Sequence, residues 1–171
     1  MPSAYTPLLG FVLPVTGELP GTWGTAVNSK LTELVEASIA GYSTNDLSAG
    51  DWTLTTTGGG VAAQYRSAIL IATGATTPTG TSRYIYAPES SKTYVVINNM
   101  TGNSSVYLSG GTSSSHTIGV EIESGSSALC AWDSNTGDFI KVAGGGGGAS
   151  GGGSDQIFFE NDLVVTTDYT I

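Results

Sequence analysis

The ten residues Gly144–Gly153 hold eight glycines, interrupted only by Ala149 and Ser150. No side chain in such a run can join a core, and glycine chains behave as flexible coil. The run therefore divides the chain. Before it lies a block rich in Ser, Thr and Gly with few charges. After it, Ile157–Ile171 reads as strand and stops in mid-pattern, so a further module is expected to begin at Asp155 and the natural chain to be longer. Over about ten such residues the root-mean-square span is roughly 16–19 Å, so the linker is expected to act as a hinge.

Charged residues make up 11% of the 171 and hydrophobic residues 39%. What replaces charge is Ser, Thr, Gly and Asn. Thr and aromatics suit a pleated surface and Gly suits turns, so composition favours β-structure. Fourteen acidic residues against five basic ones give a net charge of −9. Nucleic-acid binding requires clustered Lys and Arg, and these five are scattered, which excludes it; anionic membrane surfaces are disfavoured for the same reason. No apolar run is long enough to span a bilayer. A single cysteine, Cys130, excludes an intrachain disulfide framework. Leu8–Val15 is apolar, but no basic residue precedes it and no cleavage site follows, so it does not read as a signal peptide.

The residues 1–21 carry four prolines, Pro2, Pro7, Pro14 and Pro20, and no helical period. They are expected to form an extended arm that only a partner surface holds still. Leu8, Leu9, Phe11, Val12, Leu13 and Val15 are its docking candidates. Residues 22–41 form the one amphipathic helix: Trp23, Val27, Leu31, Leu34, Val35 and Ile39 recur at spacings of three and four. Thr22 or Thr25 supplies a cap and Gly41 a stop. That stripe is too long for the helix to bury alone. Either three parallel copies face one another in a short coiled coil, or the helix lies on the β module.

Residues 42–143 read as that module. Strands are expected at Trp52–Thr57, Arg66–Ala72, Arg83–Ala87, Thr93–Asn98, Ser105–Ser109, Thr117–Glu123, Ala128–Trp132 and Phe139–Val142, divided by turn clusters. This spacing predicts an antiparallel β-sandwich or barrel-like module with no βαβ unit. The glycine linker then covers residues 144–154 and the next β module begins at residues 155–171.

Catalytic constellations are sparse. His116 follows Ser113-Ser114-Ser115, but no nucleophile-elbow pattern surrounds them. His116 and Cys130 make one soft ligand pair, too few for a metal site, and Cys130 reads as a small buried hydrophobe. Glu121 and Glu123 share one strand face; paired carboxylates can cleave glycosides, but this spacing reads as solvated. Asp133-Ser134-Asn135-Thr136-Gly137-Asp138 faintly echoes a calcium loop. Its glycine is fifth and no distal Glu follows, so a hairpin turn is the better reading. Tyr84, Tyr86 and Tyr107 are left to stack a sugar or a protein, or to fill an intersubunit core. No catalytic residue, cofactor or metal is expected.

Two stretches carry a resemblance. Leu13-Pro14-Val15-Thr16-Gly17-Glu18-Leu19-Pro20-Gly21-Thr22-Trp23-Gly24, with Val27-Asn28 and the helix to Ala40-Gly41, resembles the N-terminal segment of tail-fibre and related virion proteins of tailed bacteriophages, marine ones especially. Gly151-Gly152-Gly153-Ser154-Asp155, with Phe158-Phe159-Glu160-Asn161 and Thr166–Ile171, is similar to a linker-plus-module repeated in such fibres. The resemblance covers nearly a third of the chain. It implies a non-enzymatic virion structural protein, usually an intertwined homotrimer, assembled in the host cytoplasm. Its N-terminal part would be attached to other virion proteins of the tail, baseplate or adaptor, and distal modules would meet a receptor on the host surface. A capsid decoration or head-fibre protein is the alternative, and a polysaccharide depolymerase spike a more distant one.

Overall fold

In the computed structural model the described residues are 4–17, 19–57, 61–90, 92–111 and 119–144. The chain is mainly β with one helix of 18 residues. Its N-terminal residues form a small hairpin, β1 (Ala4–Tyr5) against β2 (Val12–Leu13). The connecting turn is closed by Thr6: its N–H donates to Phe11 O (2.8 Å), its carbonyl accepts from Gly10 N–H, and its hydroxyl accepts from Phe11 N–H.

The helix runs as α1 (Trp23–Val27), a π-helical turn (Asn28–Thr32) and α2 (Glu33–Ala40). In that turn the Glu33 N–H bonds to Asn28 O, five residues back. A π-turn adds a residue to the helical repeat, so the apolar face of α1 is rotated relative to that of α2. Thr22 precedes α1 but makes no side-chain cap hydrogen bond. Gly41 ends α2 in extended backbone, and a Cβ there would run into the Ala37 backbone.

From Gly41 onward the chain alternates between two sheets. It lays down β3 (Tyr42–Asp46), β4 (Trp52–Thr53), β5 (Ile69–Thr73), β6 (Arg83–Ala87), β7 (Thr93–Asn98) and β8 (Val106–Gly110). The odd strands belong to one sheet and the even ones to the other, and within each sheet successive strands pair in parallel. Tyr42 stands beside Ile69 and Ile69 beside Val95; Trp52 stands beside Ile85 and Ile85 beside Leu108. The module is thus three successive coils, each giving one strand to each sheet. Antiparallel strands close it: β9 (Val120–Ile122) on β8, β10 (Ser127–Asp133) on β7, and β11 (Asp138–Ala143) on β10. The sheet orders are β11-β10-β7-β5-β3 and β4-β6-β8-β9.

The antiparallel expectation is corrected here. Four strand pairs are parallel, and the two sheets do not close into a barrel. Parallel neighbours need a crossover, commonly a helix; in this chain the crossover is a strand of the opposite sheet. The strand Tyr42–Asp46, absent from the sequence reading, opens the first coil.

One core lies between the sheets. Leu70, Ala72, Tyr94, Val96, Ala128 and Cys130 come from the five-stranded sheet, and Trp52, Ile85, Ala87, Val106, Leu108 and Ile122 from the four-stranded one. Asn98 is also fully buried there. Its amide nitrogen donates to Ser104 O and Ile122 O, both at 2.9 Å, and its amide oxygen accepts from Met100 N–H at 3.0 Å. It satisfies three backbone groups where the third coil turns between sheets.

Candidate functional site

Among the described residues the candidates are two apolar surfaces, and the helix defines the first. Of its six stripe residues, Leu34 is buried against the body of its own chain, bordering a recess with Ala63, Arg66 and Ser67. Val27, Leu31 and Val35 are half-buried. The two ends are open to water: Trp23 is 61% exposed and Ile39 74%. The stripe is therefore shared. Its Leu34 portion belongs to the chain's own fold, as the second sequence reading allowed, and its ends have no cover within the described residues.

The second surface is the outer face of the five-stranded sheet. Ile69, Ile71, Val95, Ile97, Leu129 and Ala131 alternate with the core residues on β5, β7 and β10. Ile140 and Val142 on β11 and Tyr42 on β3 extend the face and are exposed. Strands apolar on both sides are those a parallel sheet covers on both sides. Near Ile39 the face sinks into a groove of about 570 Å³, lined by Ser38, Ala68, Thr93, Val95, Leu129 and Ala131; Trp132 borders it but packs its ring edge-on against Phe139 of the core.

Electrostatics set this face apart. Three of the five cations are spent inside the fold. Arg66, 1% exposed, donates from Nε to Leu9 O (2.6 Å), from one terminal nitrogen to Val61 O and from the other to Thr57 O (3.2 Å). Arg83 donates to Leu47 O and Ser48 O. The Lys92 ammonium, at the groove margin, turns inward to the carbonyls of Tyr65, Arg66 and Ser67. Burial, with the Arg66 guanidinium beside it, brings Lys92 down to about 8.

The arm is partly folded onto its own chain, which differs from the expectation of an extended segment held only by a partner. Val12 is 3% exposed and Leu9 packs against the core. Phe11 is half-buried, while Leu8, Leu13 and Val15 are exposed. Arg66 makes the difference: a buried guanidinium needs acceptors, and the Leu9 carbonyl is one of the three it finds. Nothing in the local sequence around Arg66 signals a partner 57 residues away.

The other candidates do not converge. Glu121 and Glu123 are exposed and flank the buried Ile122. Tyr84 stacks on both Tyr86 (5.8 Å between centroids) and Tyr107 (5.2 Å), and burial raises the hydroxyl pKa of Tyr86 and Tyr107. Tyr86 is 4% exposed, so the three rings do not form an open platform. Cys130 is buried, and burial pushes its thiol up to about 11. Asp133 to Asp138 is the turn joining β10 to β11, with Asn135 N–H and Gly137 N–H donating to Asp133. Asp138 turns inward: Oδ1 accepts from Gly110 and Phe139 N–H, while the buried Oδ2 has no partner. Among the described residues no group of His, Cys, Asp or Glu is placed to hold a metal, and no helix is long and apolar enough to cross a membrane. Ser113–Ser115, His116, the linker beyond Gly144 and the segment 155–171 lie outside the described residues.

No family model, curated protein or solved structure matches this chain.

Proposed function

We propose that this chain is a structural protein of a bacteriophage particle, a tail fibre that mounts through its N-terminal residues and carries distal modules toward the host surface. The observation that carries the reading is the apolar surface left open among the described residues: Trp23 and Ile39 at the helix ends, and Tyr42, Ile140 and Val142 at the margins of the five-stranded sheet, whose outer residues on β5, β7 and β10 are half-buried. Monomeric soluble proteins rarely leave contiguous apolar faces open, and such faces mark association sites. A fibre built of several copies, three in this reading, would bury them. The exposed Leu8, Leu13 and Val15 would then contribute to the mount on a neighbouring virion protein. The reading assigns no catalytic role, cofactor, nucleic acid or membrane insertion.

The test is particle assembly. A chain carrying Leu8→Asp, Leu13→Asp and Val15→Asp, all at exposed positions of the arm, is produced beside the wild-type chain in phage-infected cells, and purified particles are probed with a label on this protein. Loss of the substituted chain from particles while it stays folded in the lysate, with label on the tails when the wild-type chain is used, agrees with the reading. Label on capsids would make it a head fibre or decoration protein. Absence of the full chain from particles would overturn the reading altogether.

A further inference from the structure

The N-terminal arm is fastened to its own chain through a backbone carbonyl. Arg66 Nε donates to Leu9 O at 2.6 Å, and the terminal nitrogens donate to Val61 O and Thr57 O, so one guanidinium ties the arm to the chain on either side of these two residues. The short 3-10 turn that carries it, Gln64–Arg66, is itself fixed: the Lys92 ammonium donates to the carbonyls of Tyr65, Arg66 and Ser67. On the arm's side, the turn closed by Thr6 sets the path of the chain at Leu9, with Gly10 in the left-handed region (φ 64°). Past the turn the hairpin has two sides. Val12 is 3% exposed and faces the body; residues alternate along a strand, which turns Leu13 and its partner Ala4 outward. We propose that Arg66 is the positioning residue of the mount: by clasping the Leu9 carbonyl it holds the arm as a preformed clip, whose outer side with Leu8, Leu13 and Val15 meets the neighbouring virion protein. This rests on the reading above that the chain mounts through its N-terminal residues, and it adds that the arm is ordered before contact.

Three observations carry this. First, Arg66 is 1% exposed, and a buried guanidinium is stable only where its N–H groups find acceptors. Lifting the arm strips Nε–H of the Leu9 carbonyl, a charge-assisted bond of the stronger kind, so the docked arm is favoured. Secondly, the acceptor is a carbonyl. The clasp therefore recognises the course of the backbone at Leu9 and not the leucine side chain, and an arm folded through the Thr6 turn presents that course. Thirdly, residues 1–17 contain no charged side chain. A partner for this face is apolar and uncharged, and it has no ion pair with which to capture an unordered arm from a distance. An arm already fixed loses little further conformational entropy on contact, which leaves more of the apolar burial as affinity.

The clasp can be cut from either end. Arg66→Met removes the donor. Thr6→Val keeps the side-chain shape but loses the acceptor of the Phe11 N–H, whereas Thr6→Ser retains it. Chymotrypsin cleavage between Phe11 and Val12 reads the lifted arm, because buried Val12 must leave the body to enter the protease, and the rate follows the open population. Cleavage of the full chain at that bond should rise about 10-fold or more in Arg66→Met and Thr6→Val, as for loss of a hydrogen bond that holds the clasp, and stay at the wild-type rate in Thr6→Ser. In phage-infected cells Arg66→Met and Thr6→Val should fall out of purified particles while Thr6→Ser enters as wild type does. Urea unfolding checks that the β module is intact; if Arg66→Met destabilises it, Thr6→Val, which lies in the arm, decides. Unchanged cleavage would show that no such clasp holds the arm, and the proposal is wrong. Faster cleavage with normal incorporation would show that the arm orders on contact, and the proposal is again wrong while the mounting reading stands. Absence of the wild-type chain from particles would overturn both.

Discussion

Replacing Asn98 by Ala should be among the most damaging single changes to the β module. The side chain is fully buried and makes three hydrogen bonds, to Ser104 O, Ile122 O and Met100 N–H. Alanine removes all three partners at once. Ser104, Ile122 and Met100 are each at most 2% exposed, so water reaches the abandoned groups only if the turn opens. Each stranded group costs about 1–3 kcal/mol. Partial relaxation brings the total to about 3–5 kcal/mol, a large share of the roughly 5–15 kcal/mol that holds a domain folded. Asn98→Asp sharpens the test. One carboxylate oxygen can still accept from Met100 N–H, but the other faces two carbonyl oxygens where an amide had donated. Those neighbours favour the protonated carboxyl, so its folded pKa must lie above its unfolded value. The variant therefore loses stability as pH rises from 4 to 7, and the gap between it and Asn98→Ala narrows as pH falls. Urea unfolding followed by tryptophan fluorescence at pH 4.5, 6 and 7.5 measures both. A loss below about 1 kcal/mol for Asn98→Ala, or a pH-independent Asn98→Asp, would refute the assigned network.

Three further outcomes follow from the geometry. Cys130, buried with its thiol pushed up to about 11, should resist iodoacetamide at pH 8, and its alkylation should track global unfolding in urea; labelling at the rate of a free thiol would contradict its placement. Lys92, brought down to about 8, loses its proton in the folded chain before the unfolded one does, near 10.4. Wild type should thus gain stability relative to Lys92→Met between pH 8 and 10, read as a widening difference in urea midpoints. Gly74 has φ +105°, and a Cβ there would meet Asp46 Oδ1 and Ser48 Oγ, which close the turn after β3. Gly74→Ala should cost about 2 kcal/mol and Gly80→Ala, in open space with φ +81°, about 1 kcal/mol; equal thermal midpoints would show that strain alone sets the loss.

Much of the β content was legible because its period is local. Arg83–Ala87 and Thr93–Asn98 form over the residues expected, and β10 and β11 exceed theirs by one residue at each end. Pairing was not legible. Alternation says which residues share a face, not which strand lies alongside, and regular turn clusters suggest hairpins whether or not the chain changes sheet between strands. One clue was available: Ile69-Leu70-Ile71-Ala72 and Tyr94-Val95-Val96-Ile97 are apolar on both faces, the mark of strands covered on both sides. Tyr42–Asp46 escaped notice because its inward residues are Ser43 and Asn45, which offer no hydrophobic period. The helix was visible in its stripe, but the π-turn and the division of that stripe between the chain's own body and open surface depend on contacts far away in sequence. The packing of part of the arm on its own chain is hidden for the same reason: its anchor is Arg66, and a lone arginine beside Tyr65 gives no sign that its guanidinium will be buried.

The alternation between sheets also governs how the chain is made. In a meander each new strand finds its partner at once, but here β3 waits for β5 and β4 waits for β6, so every parallel pairing spans a full coil. Tyr42 and Ile69 are 27 residues apart, and Ile69 and Val95 are 26. On a ribosome adding about 5–20 residues each second, the first coil leaves the exit tunnel before anything exists for it to pair with. Each later coil then has the preceding one to pair against, which predicts that the nascent module grows from its N-terminal end. The last strands, β9 to β11, pair in the opposite direction and bring that growth to a halt. Until they arrive, β7 and β8 offer free parallel edges to any chain emerging from a neighbouring ribosome on the same message. Correct assembly therefore depends on β9, β10 and β11 reaching those edges before another copy does.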